Sequence, residues 1–468
     1  MKKQNLLLAD FFEVEDLPAR QADVIVGNPP FIRYQRFSGE ARQVALVRAA
    51  SHGVQLNELS SSWAPFIIHS SAMIKPGGRL AMVAPMELVH AAYALPVLDY
   101  LSKSFAAVTF LTFKKKLFPD LNENTLLLLA EDKGPHRAKL TWRDLPHAGL
   151  LAEMQQGQPR VRMGNRRIDT SAFSQGQERL IEYFIPKKAR ELYRELKLSR
   201  ATRRLGELAD VGIGYVTGAN EFFHLTLDAV RAWGIPTTFL KPSIRRSRAL
   251  AGLRFTQADW RKALEAGEAC YLLAIEAKNN LPKSVRQYLE HGKSLGVCRA
   301  YKCRTRSPWF RVPHVYHPDA FLTYMSGETP RLVANETEAV APNSLHILRL
   351  RPHTKLASDV LAALWQTSLT RLSAEIEGHA LGGGMLKLEP TEAERVVVPA
   401  GDGANGKLAE LVGELDKLAR NGENAVVQTQ ADQVLLRDGL GLSQSDCQLL
   451  KKAAEALCRR RHFRSAAA

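Results

Sequence analysis

Cysteine is scarce and scattered: five residues in 468, an odd number. That excludes a disulfide-stapled scaffold and points to a reducing compartment. Long apolar runs are missing as well. No stretch reaches the roughly 18 residues of a membrane span, and the three leucines of "MKKQNLLLADFFEVED" are too short a core for a secretory leader, so a cytoplasmic location is expected. Internal repeats and low-complexity tracts are absent, which excludes solenoids and arrays. Cys298 and Cys303 form at best half of a zinc site, with no second ligand pair after them, so no metal is expected. Acidic residues are in deficit: 48 Asp and Glu against 64 Lys and Arg leave a net charge of +16. Such an excess suits a polyanionic partner, because clustered Lys and Arg release counterions from phosphates. A merely basic soluble protein is the plain alternative.

The length leaves room for two or three domains, each with its own core. Residues 5–133 alternate strand and helix. "NLLLAD" and "ADVIVGN" read as short buried strands, "SSWAPFIIHSSAMIK" as an amphipathic helix, and "GGRLAMVAP" as a strand after a Gly-Gly turn. A helix at "YALPVLDYLSKS" and strands at "AVTFLTF" and "NTLLLLAE" follow. Continuous apolar strands between helices predict a doubly wound α/β sheet covered on both faces. Ligands of such sheets bind at the carboxyl ends of the strands, where Asp10, Asn28 and Pro85 fall. The expected division is an α/β domain over 1–135, a basic connector over 136–200 with a helix at "KKARELYRELKLSR", a mixed α+β domain over 201–400, and a helical segment over 401–468. Arginine clusters mark the third of these, "SIRRSR" with Arg245 and Arg246, and "VCRAYKCRTRSPWFRVP" with Arg304 and Arg306.

The most informative stretch is "DVIVGNPPFIRYQ", in which an apolar run ends on Asn28-Pro29-Pro30-Phe31. A reaction on the exocyclic amine of adenine needs that combination. The amine is a poor nucleophile because its lone pair is delocalised into the ring, so two hydrogen-bond acceptors must draw it toward tetrahedral geometry. The Asn28 side-chain carbonyl offers one, and the backbone carbonyl of Pro29 another. Pro30 stiffens the loop, and the Phe31 ring can stack on a base extruded from a duplex.

On these residues the chain resembles the amino-group methyltransferases that use S-adenosylmethionine, most closely the N6-adenine DNA methyltransferases of the TaqI-like type. Protein-glutamine methyltransferases share the four-residue motif but are smaller and lack a long basic second half. "LLLADFF" looks like the family's preceding strand, and the resemblance implies that Asp10, with Phe11 beside it, contacts the cofactor's adenine, and that Asn28 also borders the cofactor. "AMIKPGGRLAMVAP" resembles the next helix, turn and strand, and "LFPDLNENTLLLLAE" the late motif, which implies stacking of Phe118 on the flipped base; a packing Phe at a strand edge is the other reading. "LGELADVGIGYVTGANEFFHLT", "VAPNSLHIL" and "GGGMLKLEPTEAERVVVP" resemble the DNA-recognition domain of the same enzymes. The implied partner is double-stranded DNA, with Arg245, Arg246, Arg304, Arg306 and Lys387 as contacts. Gly212, Gly214 and Gly218 bring backbone close either to a DNA phosphate or to an ordinary hairpin. Trp309 either meets DNA or anchors its loop.

An enzyme of this type carries, before the Asp10 strand, a glycine-rich loop for the methionine end of S-adenosylmethionine and an acidic residue for its ribose. Those elements would take on the order of 50 residues, and only nine precede Asp10. The expectation is an N-terminally truncated Rossmann-like domain. A circular permutation would place the loop at Gly401, Gly403 and Gly406, but Pro399 sits where a strand should enter, and "AVVQTQADQVLL" reads as a helix rather than a strand ending in an acid. Three explanations follow: a split enzyme completed by a second polypeptide, a remnant whose lost segment is encoded upstream, and a non-catalytic specificity subunit. The retained Asn28–Phe31 motif counts against the last. The expected setting is a restriction-modification or phage-defence system, with no convincing nuclease arrangement in this chain.

Overall fold

The apolar run after Ala22 forms β1 (Ala22–Gly27), which in the computed structural model lies at one end of a six-stranded mixed sheet. The structure describes residues 7–15, 21–90, 93–115, 117–118, 125–155, 166–168, 179–276, 281–400 and 405–463. Helices α1 (Gly39–Ser51) and α2 (Trp63–Ala72) lead to β2 (Ile74–Pro85), a short α3 (Glu87–His90) and α4 (Ala94–Ser104). Strands β3 (Phe105–Phe113), β4 (Thr125–Lys133), β5 (Lys139–Leu145) and β6 (Arg166–Arg167) complete an order of β1-β2-β4-β3-β5-β6. β1 runs parallel to β2, and β3 to β5. β4, however, is antiparallel to both of its neighbours, and β6 to β5. The sheet is thus mixed, because the chain between Phe113 and Thr125 is too short for the helical crossover that a parallel neighbour requires.

Coverage is also uneven. Leu80, Met82, Ala84, Val108, Phe110, Leu128 and Trp142 on one side of the pleat are buried. Their alternates Ala81, Val83, Thr109, Leu127 and Leu129 are only half-buried. Each fully covered large side chain stabilises the sheet by roughly 1.5–3 kcal/mol. At the β1 end the apolar pattern meets solvent: Val24 is 54 % and Val26 78 % exposed. The strand expected at "NLLLAD" is not found among its described residues. Leu7 and Leu8 are exposed, and the chain from Phe11 to Glu13 turns into a 3-10 helix capped by Asp10. A strand needs a ladder partner for its backbone groups, and among the described residues nothing pairs with the outer edge of β1. The sheet meanwhile continues into the expected connector through β5, whose alternation is hidden by Lys139, Arg143 and Asp144.

The chain packs as two compact units, Met1–Arg190 with Leu381–Gly384 and Ala456–Ala468, and Glu191–Ala380 with Met385–Glu455. The second is built on a five-stranded sheet of β7 (Ala209–Ile213), β8 (Arg254–Phe255), β9 (Ala320–Thr323), β10 (Leu332–Asn335) and β11 (Leu345–Leu350), in the order β8-β10-β9-β11-β7. Two stretches far apart in sequence thereby become neighbours, since "LADVGI" pairs antiparallel with "SLHIL" through Ile213↔His346 and Val211↔Leu348. The C-terminal part is helical over Asn405–Arg420, Asn424–Ala431 and Gln444–Phe463, with a π-helical turn at Asp432–Asp438. Gly401 and Gly403 of the alternative glycine loop lie outside the described residues, and Gly406 falls inside the first of these helices.

Candidate active site

β1 stops at Gly27, whose partner across the ladder is Met82. A Cβ on Gly27 would lie 2.7 Å from the Met82 sulfur, so any larger residue there requires the Met82 side chain to turn aside. Asn28, Pro29, Pro30 and Phe31 then leave the sheet without regular structure. Pro29 is buried and Phe31 half-buried, while Asn28 is exposed. Among the described residues, neither the Asn28 side-chain amide nor the Pro29 carbonyl has a hydrogen-bond partner. The next carbonyl is engaged: the Ser62 hydroxyl donates to Pro30 O. The four motif residues therefore stand together at the carboxyl end of β1, beside the end of β2 at Pro85, with two acceptors open.

Asp10 and Phe11 occupy a separate aromatic corner. The Asp10 Oδ1 accepts from the Phe12 amide at 2.9 Å, which leaves its other oxygen outward on an exposed residue. Phe11 stacks on Phe66 with centroids 4.7 Å apart and planes 5° from parallel, and meets His69 edge-on at 5.0 Å. The backbone of this segment is tied down on both sides: Arg48 Nε donates to Phe12 O at 2.9 Å, and His69 Nε2 to Val14 O at 2.9 Å. Phe118, after β3, is 36 % exposed.

The sequence reading missed the side chains that fasten these loops. Ser62 and Trp63 were legible only as a helix start. Yet the Trp63 indole lies 3.1 Å from both Glu87 Oε2 and Tyr93 Oη, just beyond β2. Burial, reinforced by the Glu87 charge, raises the Tyr93 pKa far above its ordinary value, so its phenol stays a donor to that carboxylate. Three serines followed by a tryptophan at a helix start were the available signal.

In the second unit the expected DNA contacts differ among themselves. Arg245 and Arg246 line a cleft of about 760 Å³ with Trp233, Tyr288 and His291. Arg245 pairs with Glu221 at the rim, while Arg246 is exposed. Arg304 is exposed and lies 5.4 Å from the centre of the Tyr301 ring. Lys387 Nζ sits 2.5 Å from Glu389 Oε1 and over the Tyr324 ring. Arg306 is a structural tie: its terminal nitrogens lie 2.7 Å from Thr217 O and 2.6 Å from Val216 O. Burial lowers its pKa. The glycine turn that Arg306 holds approaches other parts of the chain: a Cβ at Gly214 would lie 2.3 Å from Ala341 O and one at Gly218, where φ is +83°, 2.7 Å from Lys302 Cβ. Trp309 packs on Phe222 and Phe223 as a loop anchor. Cys303 is buried at the same turn, which raises its thiol pKa.

Comparison with known proteins gives the family. Residues 177–436 match the model of the Type II methyltransferase M.Eco57I, C-terminal domain, and residues 2–118 that of the Eco57I restriction-modification methylase. The chain is 20 % identical over 400 residues to the Type II methyltransferase M.AccI of Acinetobacter calcoaceticus, covering 84 % of this chain and 71 % of that protein. It is 20 % identical over 409 residues to the Type II methyltransferase M.XamI of Xanthomonas campestris pv. amaranthicola, covering 85 % and 71 %. Among solved structures, the type IIG restriction endonuclease BpuSI aligns over 98 % of this chain and 56 % of its own, at 13 % identity and a TM-score of 0.40. The DrdV–DNA complex aligns over 86 % and 45 %, at 12 % identity and a TM-score of 0.41. The chain thus spans about half the length of these solved relatives. As the first of the two family models covers more than half of the 468 residues, the chain belongs to the M.Eco57I family of restriction-modification methyltransferases.

Proposed function

We propose that this chain carries the target-base site and the recognition domain of a site-specific DNA methyltransferase that transfers a methyl group to the N6 amine of adenine within a restriction-modification or phage-defence system. One observation carries the reading: among the described residues the Asn28 amide and the Pro29 carbonyl have no hydrogen-bond partner at the carboxyl end of β1, while the neighbouring Pro30 carbonyl is already engaged. Family membership supports it.

In this reading an adenine leaves the duplex and stacks on Phe31, with Phe118 as a second ring. Its two amine N–H groups donate to Asn28 Oδ1 and Pro29 O, which localises the nitrogen lone pair for attack. S-adenosylmethionine, when bound, supplies the electrophilic methyl group. Asp10 and Phe11 fit an adenine moiety, because one offers an outward carboxylate oxygen and the other a half-exposed ring backed by Phe66. Arg245, Arg246, Arg304 and Lys387 are the proposed contacts to double-stranded DNA. Val24 and Val26 are exposed and, among the described residues, the outer edge of β1 is unpaired; this suits pairing with a further strand that carries the glycine-rich cofactor loop, supplied by a second polypeptide or by a segment outside this sequence.

The test is to express the chain with its neighbouring genes in a methylation-free host and to map N6-methyladenine by long-read sequencing. Asn28→Ala should abolish the mark and leave DNA binding by the purified protein nearly intact. Loss of binding in parallel with the mark would overturn the catalytic role of Asn28.

A further inference from the structure

The loop that carries Asn28–Phe31 has no ladder or helix to hold it, yet a catalytic acceptor pair must stay fixed to within about half an ångström. Ser62 supplies what the backbone does not. It stands at the N-cap of α2, where a serine ordinarily caps its own helix. Here its side chain makes no capping bond. The hydroxyl instead donates to Pro30 O and accepts from the Ile32 amide at 2.9 Å, and the Ser62 amide donates to Ile32 O at 3.0 Å. Three bonds from one residue thus close around Pro30–Ile32, anchored on a Ser62 that is itself 1 % exposed. The next residue reaches the second strand end. Trp63, fully buried, directs its indole N–H at Glu87 and Tyr93 beyond β2.

We infer that Ser62 is a positioning residue that holds the Asn28–Phe31 loop in its acceptor geometry, with Trp63 coupling the same helix start to the loop after β2. The inference rests on the proposed function for its catalytic consequence, but the clip itself is a matter of geometry. It also accounts for the order of free and engaged carbonyls. By occupying Pro30 O, Ser62 leaves Pro29 O as the open acceptor and fixes the direction of the peptide that follows it.

The test uses the full chain and four proteins: wild type, Ser62→Ala, Asn28→Ala, and Ser60→Ala as the control. The Ser60 hydroxyl is equally buried but is bonded to Asn57 Oδ1, away from the loop. Hydrogen exchange at the Ile32 amide reads the clip directly. It should quicken about tenfold in Ser62→Ala, the loss expected for one part-buried hydrogen bond, and stay unchanged in Ser60→Ala. In the methylation assay on unmethylated genomic DNA, Ser62→Ala should lower kcat about tenfold with KM for DNA unchanged. Unchanged Ile32 exchange in Ser62→Ala overturns the clip whether or not the protein turns over. Faster exchange with undiminished kcat, while Asn28→Ala is inactive, overturns the positioning role alone. An active Asn28→Ala overturns the functional reading, and the exchange result then still decides the clip.

Discussion

Arg460 and Asp144 meet side-on although 316 residues separate them: Nη1 lies 2.6 Å from Oδ2, and Nη2 2.8 Å from Oδ1. The guanidinium also covers the Phe184 ring at 3.5 Å, and Thr112 donates to the same carboxylate at 2.8 Å. The last turns of the C-terminal helix are thereby fixed to β5. The planar fork is what the site uses, because an ammonium could neither bridge both oxygens nor stack on the ring. Arg460→Ala should cost roughly 1.5–3 kcal/mol, since it removes both charge-assisted hydrogen bonds of the fork from a half-buried carboxylate that keeps its Thr112 bond. Arg460→Lys should recover less than half of that loss. Urea denaturation of the single and paired Arg460→Ala and Asp144→Ala variants checks this, with the double mutant costing clearly less than the sum.

The glycine turn of the second unit makes a different prediction. Gly214 sits where β7 leaves the sheet, and its neighbour Tyr215 bridges to Pro342. Any side chain at 214 meets two backbone carbonyls, which cannot move aside as a flexible side chain could. Gly214→Ala should therefore destabilise the unit by about 1–3 kcal/mol. DNA affinity of the fraction that remains folded should be unchanged. Thermal melting and binding, measured on the same preparation, separate this from a phosphate contact, for which affinity would fall while the melting point held.

That turn marks where the sequence stopped being legible. Short spacings showed that Gly212, Gly214 and Gly218 bring something close. The something proved to be the backbone of 341–342 and the side chain of Lys302, more than 80 residues away in each case. Local periodicity found α2, β2, α4, β3 and β4, because each buries apolar residues at its own period, and it found β1 from its apolar run although none of that strand's residues is fully buried. It failed at β5, where Lys139, Arg143 and Asp144 interrupt the pattern between the buried Leu140, Trp142 and Leu145. It also failed at Leu7–Asp10, where apolar composition alone suggested a strand. The motif loop was readable as Asn28–Phe31, since its chemistry lies in consecutive residues. Ser62 was not, because a serine before a helix reads as a cap and its actual partners lie some 30 positions earlier.

The arginines divide into two kinds of variant. Arg306→Ala removes donors to the part-buried Val216 and Thr217 carbonyls and should lower stability with little effect on the salt dependence of DNA binding. Arg246→Ala removes an exposed charge at the cleft rim. It should leave the melting point unchanged and reduce the slope of log affinity against log salt by about 1. Binding to one duplex at several salt concentrations distinguishes the two. A reduced slope in Arg306→Ala, rather than in Arg246→Ala, would reverse the assignment.

Asp432 gives the pH prediction. It is 7 % exposed at the π-helical turn, with Oδ1 accepting from the Ser368 amide at 2.7 Å and Oδ2 from the Ser368 hydroxyl. Burial raises its pKa to about 6 against an ordinary 3.8, and the Ser368 bonds offset that only in part. A carboxyl whose folded pKa exceeds its unfolded one binds more protons folded than unfolded between those two values. Its contribution to stability is therefore gained as pH falls through about 6 and is lost again as pH rises. Above that pH the buried charge opposes folding. Asp432→Asn keeps an acceptor for the Ser368 amide and offers its NH2 to the hydroxyl, without the charge. The variant should therefore gain on the wild type as pH rises from about 4 to about 7.5. Melting temperatures of both proteins across that range measure the difference. A gap that does not change with pH would mean that Asp432 ionises as an ordinary carboxylate and that its burial is relieved in solution.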